Sequence, residues 1–100
     1  MLLAFSVAPT TGDESGGVAE AVAAAIKVVR ASGLPHETTS MFTTLEGEWD
    51  EVFDVVKRAT EAVVAVSPRV SLVVKADIRP GFTGQLRAKV DRVEEILDGQ

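Results

Sequence analysis

Thr38, Thr39, Ser40, Thr43 and Thr44 place five hydroxyls within seven residues; Met41 and Phe42 lie between them, and Glu46 and Gly47 follow directly. Hydroxyls both donate and accept hydrogen bonds, and an ionised carboxylate accepts them. A thioether or a phenyl ring offers an apolar wall to a flat molecule. That set of groups suits a small, polar, partly aromatic ligand. It equally suits a strand and a turn, because Thr favours strands and Ser and Thr favour turns. Composition by itself selects no ligand. Glu46 precedes a glycine and the start of a helical pattern. A carboxylate there can be held ionised by backbone N–H groups and accept from a ligand amine, or it can simply begin the helix.

The remaining reactive side chains form no constellation. His36 is the single histidine. It has neither carboxylates at metal-ligand spacing nor a placed nucleophile, and reads as an ordinary residue at the start of a strand. Lys75 and Asp77 are two apart on one strand face, so they can pair with each other or flank a ligand. The run TGDESGG lacks the spacing and the lysine of a phosphate-binding loop, and its two acids would repel phosphate. It reads as a cap loop in which Asp13, Glu14 or Ser15 satisfies N–H groups of the next helix. No catalytic residue and no metal ligand is assigned. An enzyme would have to use Glu46, His36 or Lys75 for proton transfer, without a nucleophile–base pair.

The elements that must position these groups follow from periodicity. Leu2–Ala8 reads as a buried strand ended by Pro9, with Leu3, Phe5 and Val7 on one face and Leu2, Ala4, Ser6 and Ala8 on the other. A helix follows over residues 16–32, with Val18, Val22, Ala25, Ile26 and Val29 at helical spacing, Gly33 just past its end and Pro35 beyond. PHETTSM and FTTLEGE read as two short strands. Alternation sets Met41, Thr43 and Leu45 against Phe42, Thr44 and Glu46. A second helix carries Val52, Val55, Val56, Ala59, Ala62, Val63 and Val66 as its apolar stripe; Glu48, Asp50 and Glu51 suit its start and Pro68 its stop. RVSLVVKADIRP is a strand with Val70, Leu72, Val74, Ala76 and Ile78 on one face. A last helix holds Leu86, Val90, Val93 and Leu97 in register.

The order β-α-β-β-α-β plus a terminal helix is the ferredoxin-like α+β arrangement, a four-stranded antiparallel sheet with two helices on one face. Right-handed crossovers place strands 1 and 3 in the middle, with strand 4 beside strand 1 and strand 2 beside strand 3. The strong apolar faces, Leu3/Phe5/Val7 and Val70/Leu72/Val74, belong against the helices. The opposite face is small and mixed in character, carrying little charge on strand 1. It is expected to pack sheet to sheet against another subunit, the alternative being a terminal helix folded back over it.

One hundred residues make a single domain, 1–100. The net charge is −5, and no Lys/Arg cluster occurs along the chain, so nucleic acid is not an expected partner. The absence of cysteine rules out disulfides and thiolate sites and fits a reducing, cytoplasmic setting. The apolar start lacks a basic region, and no window reaches the length of a membrane span.

FSVAP near the start, TTSMFTTLEGEWDEV in the middle and RVSLVVKADIR near the end resemble the small thiamine-binding protein family. The most specific element is Thr43-Thr-Leu-Glu46-Gly47, a T-x-x-E-G run leading into an acidic helix start. The resemblance implies a ferredoxin-like subunit that assembles as dimers and tetramers through its sheets. It also implies non-catalytic binding of thiamine or its hydroxymethylpyrimidine part, with no separate cofactor. Carried over onto this chain, it designates Thr43, Thr44 and Glu46 first, then Ser6 and Ser40. Met41 and Phe42, which stand where the family is expected to vary and often to hold small or polar residues, join the expected site on physical grounds, as an apolar wall for the ring. Another reading is a regulatory or protein-interaction module with no bound metabolite. Because Thr43 and Thr44 face opposite ways along a strand, either the strand twists at its turn, or the site is built between faces or between subunits.

Overall fold

A computed structural model describes residues 1–10 and 17–99. The cap residues expected at Asp13, Glu14 and Ser15 lie outside the described residues. The elements are β1 (Leu2–Pro9), α1 (Gly17–Ala31), β2 (His36–Thr38), β3 (Thr43–Glu46), α2 (Trp49–Val64), β4 (Val70–Asp77) and α3 (Gln85–Asp98). The strands form one sheet in the order β2-β3-β1-β4 with antiparallel pairing throughout. This is the ferredoxin-like α+β fold with an added C-terminal helix, as the element order requires.

Register fixes what each face carries. Leu3, Phe5 and Val7 stand opposite Ala76, Val74 and Leu72 on β4, and Leu3 and Phe5 opposite Leu45 and Thr43 on β3. Directly opposed residues share a face, so all of these look toward α1 and α2. The core there joins Leu3, Phe5, Val7 and Leu45 to Ala21, Ala25 and Val29 of α1 and to Val52, Val55, Val56, Ala59 and Val63 of α2. Leu3, Leu45, Val29, Val52 and Val63 are fully buried. Each such side chain contributes about 1.5–3 kcal/mol by leaving water.

Three expectations change. The buried stripe of α1 is Ala21, Ala25 and Val29, while Val18 and Val22 are exposed. α1 packs on α2 as well as on β1, and alanines at the contact let the two helices approach closely. In α2 the stripe ends at Val63; Val66 lies past the helix and is exposed. On β4 the predicted face is the right one, yet Leu72 is 42% and Val74 39% exposed. The helices sit over the middle of the sheet, and the edge strand β4 extends beyond their cover. Periodicity identifies a face but not what lies on it.

Local chemistry sets the element ends. Gly33 follows α1 at φ +77°, a left-handed conformation that glycine adopts without strain. Ser32 Oγ donates to the Val29 carbonyl at 2.6 Å and accepts from the Leu34 N–H at 3.2 Å, closing the same turn. At the start of α2, the Glu48 N–H donates to Glu51 Oε1 at 3.0 Å, one half of a capping box. α3 touches the end of β3, and none of its residues is buried.

Candidate functional site

The hydroxyl row divides by function once the turn is in view. β2 ends at Thr38 and β3 begins at Thr43, so residues 39–42 are a turn and strand alternation does not run through them. Thr39 builds that turn. Its N–H donates to the Phe42 carbonyl at 2.9 Å, and its Oγ1 accepts from the N–H groups of Met41 at 3.4 Å and Phe42 at 3.3 Å. Thr38 and Thr43, opposite each other across β2 and β3, bring their hydroxyls to 3.3 Å. Three of the five hydroxyls are therefore engaged within the hairpin. Ser40 and Thr44 make no side-chain hydrogen bond among the described residues, which leaves them available to a ligand.

β3 is short, and its pairing with β1 stops at Phe5 opposite Thr43. From Ser6 onward the β3-side edge of β1 is uncovered. The turn folds beside that edge and encloses a groove of about 180 Å³, lined by Ser6, Thr38, Ser40, Met41, Phe42 and Thr43 among others. The groove thus gathers five of the seven expected ligand residues: Ser6, Ser40, Met41, Phe42 and Thr43. Alternation had set Met41 and Phe42 on opposite faces and Ser6 away from Thr43. The turn takes Met41 and Phe42 out of alternation; Ser6 and Thr43 do lie on opposite faces, and the groove reaches both because it sits at the sheet edge left open by the early end of β3. Met41 is 72% exposed and Phe42 half-buried, so one forms a movable rim and the other a fixed wall.

Thr44 and Glu46 stand elsewhere. Their partners on β1 are Ala4 and Leu2, on the face that α1 and α2 leave open. Glu46 is engaged there: its Oε2 accepts from the Gln85 N–H at 2.9 Å and its Oε1 from the Leu86 N–H at 3.2 Å. A carboxylate on the first N–H groups of a helix is well placed, since those donors have no partner within the helix. The helix it serves is α3, forty residues on, rather than the adjacent α2. No local sequence signal points to that contact. Lys75 and Asp77 also lie on this open face but form no ion pair; the one ion pair among the described residues is Arg58–Asp54. His36 is exposed at the start of β2, its Nδ1 donating to the Leu34 carbonyl at 2.8 Å. Among the described residues no three His, Asp or Glu side chains gather as a metal would need. No described helix is long and apolar enough to cross a membrane.

Fold and groove together define a small α+β protein with a polar, aromatic-walled cleft at one hairpin and an open sheet face. Residues 3–94 match the family model for thiamine-binding proteins, and the chain belongs to that family. It is 54% identical over 98 residues to the UPF0045 protein Mb1933 of Mycobacterium bovis, covering 97% of this chain and 94% of that one. Among solved structures it is similar to a domain of unknown function, DUF77, from Bacillus cereus. That similarity has a TM-score of 0.77 and 40% identity, over 89% of this chain and 85% of that one. It is also similar to TM0486 of Thermotoga maritima, described as a candidate thiamine biosynthesis/salvage protein. There the TM-score is 0.79 and the identity 26%, over 92% and 96% of the two chains.

Proposed function

We propose that this chain is a cytoplasmic, oligomeric protein that binds thiamine or its hydroxymethylpyrimidine part without catalysing a reaction on it. The observation that carries this reading is the groove, where Ser6, Ser40 and Thr43 of the residues designated by the family motifs meet beside Met41 and Phe42, although they come from two separate segments. An aminopyrimidine presents ring-nitrogen acceptors and an amine donor, which the Ser6 and Ser40 hydroxyls and the free backbone edge of β1 answer. Phe42 supplies the wall for the ring. The groove suits a single substituted ring, so the pyrimidine occupies it and the rest of thiamine extends past Met41. Glu46 acts through α3, which it holds in place.

Surface area supports the oligomer. A folded monomer of 10.6 kDa exposes about 5,500 Å², whereas this chain exposes 6875 Å². The radius of gyration, 15.4 Å, is likewise larger than the ~13 Å of a compact domain of this length. The apolar groups concerned are Leu72, Val73, Val74 and Ile78 at the β4 edge and Val90, Ile96 and Leu97 on α3. Dimers or tetramers joined through sheet faces and edges would cover them.

Isothermal titration with thiamine and with hydroxymethylpyrimidine tests the ligand. Binding is expected for at least one, weakened about tenfold by Phe42→Ala through loss of the ring contact. No heat with either compound at millimolar concentration would overturn the reading. Native mass spectrometry of freshly purified protein adds a discriminating result, because a heterologous chain in place of a small molecule would favour an interaction module.

A further inference from the structure

A second concave site lies at the opposite end of β1 from the hairpin groove. It is a cavity of about 520 Å³ between the flank of α3 and the ends of β1 and β4, and Leu2, Asp77, Arg79, Phe82, Lys89 and Arg92 line it. The chain as a whole is acidic, with 15 Asp and Glu against 10 Lys and Arg. Here the balance reverses: three cations meet one carboxylate. None of the three makes an ion pair among the described residues, where Arg58–Asp54 is the one such pair. The nearby Glu46 carboxylate is held by the N–H groups of Gln85 and Leu86.

Two features make this a built arrangement rather than a scatter of surface charge. First, the flank of α3 that lines the cavity carries no acid. Gln85, Ala88, Lys89, Arg92 and Val93 recur there at three- and four-residue spacing, while Asp91, Glu94, Glu95 and Asp98, together with Arg87, lie outside it. Second, the Arg79 guanidinium lies over the Phe82 ring, 3.5 Å from its centroid. That contact holds the guanidinium against the ring, and a guanidinium's planar set of N–H donors suits an oxyanion. The N-terminus of α3 itself is occupied by Glu46, so the cavity's positive character comes from these side chains.

We propose that this cavity binds a small organic phosphate monoester. Three cations match a dianion better than a single carboxylate, and Arg79 can take two of its oxygens at once. Leu2, Phe82, Ala88 and Val93 form an apolar surface for the body of the molecule. Asp77 accepts a hydrogen bond from an N–H or O–H carried by that body. The site is separate from the hairpin groove.

Titration of the full chain with phenyl phosphate, inorganic phosphate and phenol tests this. Phenyl phosphate is expected to bind more tightly than either of the others, and more weakly as salt is added. Lys89→Gln and Arg92→Gln, both at exposed positions where folding is not at risk, should each weaken it about three- to fivefold. Ser40→Ala, in the other groove, should leave it unchanged. The proposal is overturned by an absence of binding at millimolar phenyl phosphate, by equal affinity for inorganic phosphate, or by indifference to both charge-removing variants.

Discussion

Replacing Glu46 by alanine removes the acceptor for two backbone N–H groups at the start of α3, the contacts from Gln85 at 2.9 Å and Leu86 at 3.2 Å. A hydrogen bond to a charged group contributes about 1.5–3 kcal/mol, and loss of a helix cap costs about 0.5–2 kcal/mol. Glu46 is half-buried, so about 2 kcal/mol for the pair is a reasonable total. Little else opposes the loss, since α3 has no buried residue. The effect should therefore be local. Amide-exchange protection within α3 should fall about thirtyfold, while the urea midpoint of the sheet and of α1 and α2 stays where it was. Glu46→Gln keeps one acceptor oxygen and loses the charge, so it should show about half the free-energy change. Hydrogen exchange resolved by residue reads both. If protection in α3 of Glu46→Ala stays within about twofold of the unsubstituted protein, some other contact anchors the helix and the argument fails.

Other perturbations separate the parts of the molecule. Leu45→Ala opens a cavity at a fully buried position and should cost about 2–5 kcal/mol in urea unfolding, with the slope unchanged. A loss below about 1 kcal/mol would show that the core closes around the gap. Gly47→Ala brings a Cβ to 3.2 Å from Val52 Cγ1. Val52 is fully buried and cannot yield, so thermal unfolding should show a cost of about 1–3 kcal/mol; a neutral result would mean that the start of α2 shifts freely. Val73→Lys puts a charge on the open face of β4, where Val73 is 51% exposed. Light scattering should then report a smaller species than the unsubstituted protein, and identical mass for both would remove that face from any interface.

Periodicity and turn residues made the order of elements, the sheet topology and most of the core readable in advance. Leu3, Phe5, Val7 and Val52 announce themselves by spacing. Ala21 and Ala25 do not, because a small residue at a close helix contact looks the same in sequence as one on the surface. The exposure of Leu72 and Val74 was hidden for a related reason: alternation says which way a side chain points and nothing about how far a neighbouring helix reaches. At the site, the hydroxyl cluster was visible but its division was not. Thr39 is taken up by a turn and Thr38 by its partner across the strands, facts that depend on where β2 stops and β3 starts. The basic cavity was invisible to charge counting, since Arg79, Lys89 and Arg92 are spread over fourteen residues and converge only because α3 turns back beside β1 and β4.

The Glu46 contact makes α3 a lever with its fulcrum at one end. Fourteen helical residues extend about 21 Å, so a tilt of only about 10° at Gln85 carries the far end roughly 4 Å. The fulcrum belongs to the four-residue strand that begins at Thr43, on the wall of the hairpin groove. A small displacement of that strand would be geared up along α3 and would be largest at Ile96 and Leu97, near the far end of the helix.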